Sequence, residues 1–245
     1  MPQFFIDQEF DVASQVELRG SDAKHIVQVL RLSAGDWLVL SDGSGKSYEA
    51  EILEASKRSV VAQIKSLRSE RKISDLTLAI AITKHDKTEA VIQKSVELGI
   101  ARIIPFHSER TVPRLVEDLT DKKMERWQKI AMEAAKQSGL PFRPSIGRII
   151  SFNEMLRIMP RFVASILFWE GENQRGIADY KDLLAQDGKK LIIIGPEGGF
   201  SKEEVENAHA AEIVTASLGQ QILRVETAAI AALSICQYES GEFGV

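Results

Sequence analysis

From residue 76 onward, short unbroken apolar runs alternate with stretches in which apolar residues recur every three or four positions. The runs occupy 76–82, 102–106, 165–169, 191–194 and 213–217. Continuous apolar runs of that length predict strands covered on both faces, as in a parallel sheet. The periodic stretches, marked by Val91, Ile92, Val96 and Leu98 and then by Met124, Trp127, Ile130, Ala131 and Ala134, predict helices between them. Strands and helices in alternation specify an α/β domain. Residues 1–70 carry a different pattern. Three strand-like segments at 37–40, 48–53 and 60–67 are separated by the turn-forming DGSGKS and ASKRS, which predicts a small β-barrel. One helix precedes them, with Ile26, Val29 and Leu30 on its apolar side and Ser21 as its N-cap. The charged RSERKISD at 68–75 reads as the linker, so the chain divides into 1–70 and 74–245.

Within the α/β pattern, 191–194 runs directly into GPEGGFS at 195–201. Gly195, Gly198 and Gly199 allow a sharp turn and a close approach of backbone to a ligand. Ser201 and Glu204 form the S-x-x-E of a capping box, so a helix starts there. A second glycine turn, Leu218-Gly219 in SLGQQILRVETAA at 217–229, follows the next strand and opens a long apolar-patterned helix from about Ile222. One such loop is as easily a plain strand-to-helix turn as a binding element. Two of them, at the carboxyl ends of parallel strands, can wall one pocket. Pro196 removes a backbone N–H and Glu197 adds a negative charge where a phosphate cradle needs the reverse. No G-x-G-x-x-G is present. A neutral or cationic ligand, such as a nucleoside carrying a sulfonium, fits better. GSGKS at 43–47 is not a nucleotide loop, because the required upstream glycine is Leu40 and a strand pattern follows it; it reads as a hairpin turn.

Charge changes this picture only through its distribution. The formal net charge is −4, which argues against indiscriminate nucleic-acid binding. Residues 84–148 nevertheless hold 13 Lys and Arg against 9 Asp and Glu, while 149–245 hold 8 against 14. A basic surface and an acidic ligand region can therefore coexist, although solvated faces give the same counts. Cys236 is the one cysteine and falls in the apolar pattern of the last helix, as a buried hydrophobe would. His25, His85, His107 and His209 lack metal-ligand spacing, so no zinc site is expected. The N-terminal MPQFFIDQEFDVAS lacks the pattern of a secretion signal, and a cytoplasmic location is expected.

GPEGGFS at 195–201, SLGQQILRVETA at 217–228 and IQKSVELGI at 92–100, together with HIVQVLRL at 25–32 and HSERTV at 107–112, resemble the bacterial 16S ribosomal RNA (uracil-N3)-methyltransferases, the RsmE family of the SPOUT superfamily. The resemblance covers nearly the whole chain. It implies a PUA-like barrel for RNA followed by an α/β methyltransferase domain with a trefoil knot, acting as a homodimer on 16S rRNA, in assembled 30S particles given the acidic net charge. The resemblance also implies S-adenosylmethionine as cofactor. Its site would draw on Phe168, Trp169 and Gly171, on Gly195, Pro196, Glu197, Gly198 and Gly199, and on Leu218, Gly219, Ile222, Leu223, Thr227 and Ala228.

Methyl transfer to uracil N3 needs the N3 proton removed or the resulting anion stabilised. Arg224 is the candidate cation for a uracil carbonyl oxygen, with an ion pair to Glu226 or Glu197 as its structural alternative. Glu226 is the candidate base or orienting partner, or else a carboxylate at the helix start. For RNA contact the candidates are Arg31, Lys94, Arg110 and Arg143. The chain departs from the family pattern at QSGLPFRP, where Leu140 replaces an arginine and Arg143 follows three residues later. Methylation of ribose 2′-O or of another base, and a non-catalytic RNA-binding assembly factor, remain the competing readings.

Overall fold

The computed structural model describes residues 1–6, 10–84, 86–111 and 117–243; His85 and Val112 lie outside them. It divides into two units, Met1–Ile73 with Ala135–Arg143, and Ser74–Ala134 with Pro144–Val245. The return of Ala135–Arg143 to the first unit is absent from a linear reading with a single linker.

The first unit is one five-stranded sheet. Its strands are β1 (Gln3–Phe5), β2 (Gln15–Arg19), β3 (Trp37–Ser41), β4 (Lys46–Ala55) and β5 (Ser59–Glu70), in the order β1-β3-β4-β5-β2. Three register shifts interrupt the β4–β5 ladder, and such irregularities bend strands over a core. That core gathers Phe4, Val16, Leu18, Ile26, Leu38, Leu40, Ile52 and Ile64. β1 and β2 escape the sequence pattern, the first because it has three residues and the second because it offers only Val16 and Leu18 as buried positions. The hairpin reading of 43–47 holds: Asp42 accepts from the backbone N–H groups of Ser44 (2.8 Å) and Lys46 (3.1 Å) and closes the turn between β3 and β4.

Ser21 is not the N-cap of helix α1 (Gly20–Lys24). The cap is Arg19, which makes no side-chain capping bond. Gly20, at φ +66°, turns the chain out of β2 so abruptly that the helix begins one residue before Ser21. A π-helical turn, His25–Val29, extends α1. Leu140 and Phe142 are buried in this unit. Gln3 Nε2 donates to the Leu140 carbonyl at 2.6 Å, and Phe142 bridges to Gly43 and Ser44. Leu140 is thus a core residue where an arginine would be exposed or paired. Arg143 lies over the Phe5 ring, 5.3 Å from its centroid.

The second unit is built on a wholly parallel sheet of β6 (Leu76–Ala81), β7 (Arg102–His107), β8 (Ser145–Ile146), β9 (Ile150–Ser151), β10 (Ala164–Phe168), β11 (Lys190–Ile194) and β12 (Val214–Ala216). The order is β12-β10-β11-β6-β7-β8, with β9 also pairing β7. Every residue of β6, β10 and β11 is buried, as continuous apolar runs require of central parallel strands. The helices are α2 (Lys87–Glu97), α3 (Glu117–Ser138), α4 (Phe152–Arg157), α5 (Lys181–Leu184), α6 (Lys202–Ala210) and α7 (Val225–Glu239). α7 packs on α2 and β11, and Gln237 Nε2 donates to the Leu98 carbonyl at the end of α2 (2.7 Å). Its first helical residue is Val225, three positions later than the apolar pattern suggests, because Arg224 is extended (φ −66°, ψ 153°) and caps it. Cys236 is fully buried in α7, and burial pushes its thiol up to about 12. No helix among the described residues is long and apolar enough to cross a membrane.

Candidate active site

All seven strands of the second unit point the same way, so the loops leaving β6, β10, β11 and β12 emerge at one edge of the sheet. Three of these loops are pinned by side chains. After β11, Gly195 turns beneath the Phe200 ring, and a Cβ there would lie 2.8 Å from Phe200 Cε2. The loop closes through Gly199 N–H donating to the Pro196 carbonyl (2.9 Å), and Ser201 with Glu204 forms the expected capping box of α6. The buried Glu204 carboxylate also accepts from Ser108 Oγ (3.0 Å) and Glu109 N–H (2.9 Å), which ties the loop after β7 to the start of α6. After β10, Glu172 accepts from Gln174 N–H (2.8 Å) and from Thr215 Oγ1 of β12 (2.6 Å). The Thr215 hydrogen bond leads the causes that hold its carboxyl below the ordinary value. After β12, Ser217 Oγ bonds both the carbonyl (3.1 Å) and the N–H (3.2 Å) of Gly219.

These loops enclose a cavity of about 500 Å³, within the ~300–1,000 Å³ of small-molecule sites. Its lining includes Phe168, Trp169, Gly195, Pro196, Glu197, Gly198, Gly199, Leu218, Gly219, Ile222, Leu223, Arg224 and Ala228. The two glycine loops do form two walls of one pocket. Gly171 stands outside the lining, and a Cβ on it would collide with the Trp169 indole, so its bare Cα lets Trp169 fold back. Glu226 and Thr227, in the first turn of α7, also fall outside the lining. Glu226 Oε2 is buried and has no hydrogen-bond partner among the described residues.

Arg224 reaches the cavity as an exposed cation. Among the described residues it forms no ion pair with Glu226 or Glu197, because Glu197 is held by Lys87 at 3.0 Å. Burial pushes the Glu197 carboxyl up; its own backbone N–H, the Lys87 ammonium and the Lys84 backbone outweigh that and hold it below its usual range. Lys87 and Glu170 line the cavity without having been singled out in the sequence. Lys87 opens α2 just past the carboxyl end of β6, and the rule placing ligands beyond strand ends could have found it. Glu170 sits inside the loop already marked by Phe168 and Gly171.

The cationic RNA candidates are dispersed. Arg110 Nη1 donates to the Gly198 carbonyl (2.9 Å) and so braces the 195–199 loop. Lys94 pairs with Glu97 at 2.7 Å on α2. Arg31 is exposed at φ +58°, beyond the π-helical turn of the first unit, and Arg143 belongs to the same unit.

Comparison with known proteins agrees with this architecture. Residues 69–237 match the RNA methyltransferase domain and residues 18–65 the RNA methyltransferase PUA domain. Ribosomal RNA small subunit methyltransferase E of Bacillus subtilis is 34% identical over 98% of this chain and 97% of its own. The crystal structure of a ribosomal RNA small subunit methyltransferase E from Neisseria gonorrhoeae, bound to S-adenosyl methionine, superposes with a TM-score of 0.89 at 30% identity, covering both chains completely. A Legionella pneumophila protein in complex with the bound cofactor SAM gives 0.83 at 32% identity over 96% of each chain. With both domains matched and its length shared, this chain belongs to the ribosomal RNA small subunit methyltransferase E family.

Proposed function

We infer that this chain is an S-adenosylmethionine-dependent methyltransferase that methylates N3 of a uridine in the 16S rRNA of the small ribosomal subunit. The observation that carries the reading is the cavity between residues 195–199 and 217–224, apolar in its walls, mixed in charge, and without a phosphate cradle. The residues present fit the cofactor. Phe168, Ile194, Leu218 and Ile222 offer apolar faces to an adenine, and the peptide groups of the two glycine loops lie within reach of its polar edge. Bound there, S-adenosylmethionine supplies a methyl carbon on a positively charged sulfur leaving group. The chain then has to orient the uracil and balance the charge that develops on it. Arg224 sits at the cavity without an ion pair among the described residues, where a guanidinium stabilises negative charge on a uracil carbonyl oxygen as N3 loses its proton.

The first unit serves RNA recognition, with Arg31 exposed on it. Arg143, Lys94 and Arg110 add phosphate contacts, the last two sharing donors already bonded to Glu97 and Gly198. The acidic net charge limits nonspecific attraction, so the substrate is the assembled 30S particle rather than naked rRNA. The active species is a cytoplasmic homodimer. Ile230, Ile235 and Tyr238, exposed on α7 among the small Ala231 and Ser234, supply a helix face for a second copy. The path from β12 at the sheet edge to α7 on β11 supports the family's trefoil knot.

Incubation with labelled S-adenosylmethionine and 30S subunits lacking methylation at the target, followed by digestion and nucleoside identification, tests the reading. Label is expected in 3-methyluridine. Label in a ribose 2′-O-methyl nucleoside or in another base overturns the position, and no label despite demonstrated cofactor binding overturns the substrate.

A further inference from the structure

We propose that Glu170 is the catalytic base, accepting the N3 proton of the uracil as the methyl group is transferred. The proposal rests on N3 methylation as inferred above, and it starts from the charges that face the cavity. Among the described residues of the lining, four carry charge: Lys87, Glu170, Glu197 and Arg224. Lys87 and Glu197 neutralise each other across 3.0 Å. Arg224 and Glu170 remain, each exposed and each without an ion pair or side-chain hydrogen bond among the described residues. Among the described residues the cavity therefore presents one free cation and one free carboxylate, the complement needed where a proton leaves one atom and negative charge gathers on the neighbouring carbonyl oxygens.

The position of the Glu170 carboxylate is built into the loop opposite. Gly199, at φ +66°, is the residue on which a Cβ would strike Glu170 Oε1, with Oε2 also within 2.8 Å of it. The bare Cα of Gly199 thus makes room for the carboxylate. Glu226, the base suggested by the sequence, lies outside the cavity lining, with Oε2 buried. Glu170 sits directly after Trp169 in the cavity lining and is exposed, so bulk water reaches it.

The N3–H bond breaks and its proton passes to a Glu170 oxygen. The electron pair left on N3 forms the bond to the methyl carbon, and the carbon–sulfur bond breaks with its pair retained by sulfur. A sulfonium and a carboxylate become a neutral thioether and a carboxylic acid, and the exposed acid returns its proton to water. Arg224 bears on the uracil oxygens throughout, because a carboxylate removes so weakly acidic a proton only if the anion is stabilised as it forms.

The test compares wild type with Glu170→Gln and Glu170→Asp on undermethylated 30S subunits, alongside calorimetric binding of S-adenosylmethionine without RNA. Glu170→Gln should bind cofactor with unchanged affinity and melt at an unchanged temperature, yet lose about 100-fold or more in single-turnover rate. Its residual rate should climb about tenfold per pH unit from about pH 7 to about pH 9, as solution hydroxide takes over, while wild type stays nearly flat. Glu170→Asp should recover part of the loss. If Glu170→Gln weakens cofactor binding in proportion and saturating cofactor restores the rate, the carboxylate holds the cofactor and the proposal falls. An unchanged rate across the pH range also overturns it. Should wild type form no 3-methyluridine, the functional reading itself fails, an outcome distinct from a variant without effect.

Discussion

Along the 195–199 wall each glycine backs onto another part of the unit: Gly195 onto the Phe200 ring, Gly198 onto the Arg110 side chain, Gly199 onto Glu170. Along the 217–224 wall, a Cβ on Gly219 would meet nothing nearer than Gln221 Oε1 at 3.7 Å among the described residues outside its chain neighbours, and Ile222 is 88% exposed. The first wall is thus a continuation of the core that contains Phe106, Phe152 and Phe200. The second is held by the bonds of Ser217 to Gly219, by Ser217 N–H donating to the Arg175 carbonyl (2.9 Å) and by the start of α7. Glycine does different work in each. Gly195 is required by space, whereas Gly219 is required by its backbone, at φ +119°. A pocket with one wall inside the fold and the other in solvent separates folding from binding, and substitutions can tell the two apart.

The largest effect should come from Gly195→Val, which drives a branched side chain into Phe200. It should cost about 1–3 kcal/mol of stability through overpacking and abolish cofactor binding, read by thermal melting and calorimetry. A variant that melts like wild type would mean the first wall is as free as the second. Ser201→Ala should cost about 1 kcal/mol by removing the α6 cap, with a smaller loss of cofactor affinity as the loop slackens. Ile222→Ala should leave stability within about 0.5 kcal/mol while lowering cofactor affinity; a matching loss of melting temperature would erase the distinction.

The smallest effect concerns pH. Glu197 and Glu172 both have folded carboxyls held below the ordinary value. Their contribution is therefore complete above the unfolded glutamate value of about 4.3 and is lost as pH falls through the lower folded values. Wild type should accordingly melt at a higher temperature than a Glu197→Gln variant at neutral pH, and the gap should close as pH falls below about 4.3; a gap that stays constant down to acid pH would deny the contribution.

The parts of this molecule legible in its sequence are those decided locally. Ile192, Ile193 and Ile194 read as a central strand because their burial on both faces removes any polar alternation. Ser201 and Glu204 announced a helix start because the capping box spans four residues. Glu204 also ties Ser108 and Glu109 from 95 or more residues away, and no local pattern encodes that. Lys87 was missed for the same reason: its partner Glu197 lies 110 residues on. Ser21 misled because the geometry of Gly20, one residue earlier, decided where α1 begins. The glycine loops were visible as loops, but that Glu170 rather than Glu226 faces the cavity depends on the turn after β10 and on the phase of α7.

The composition of the first unit bears on how the chain is made. Leu140 and Phe142 are core residues of a unit whose other residues end at Ile73, with Ser74–Ala134 of the second unit synthesised in between. A nascent chain emerges from the ribosome in order, and amino-terminal domains usually fold first. Here the amino-terminal sheet has to wait for residues 135–143 before Gln3 finds its acceptor and the 43–45 turn its strand-like neighbour. Translation of the second unit thus has to be well under way before the first unit can be finished.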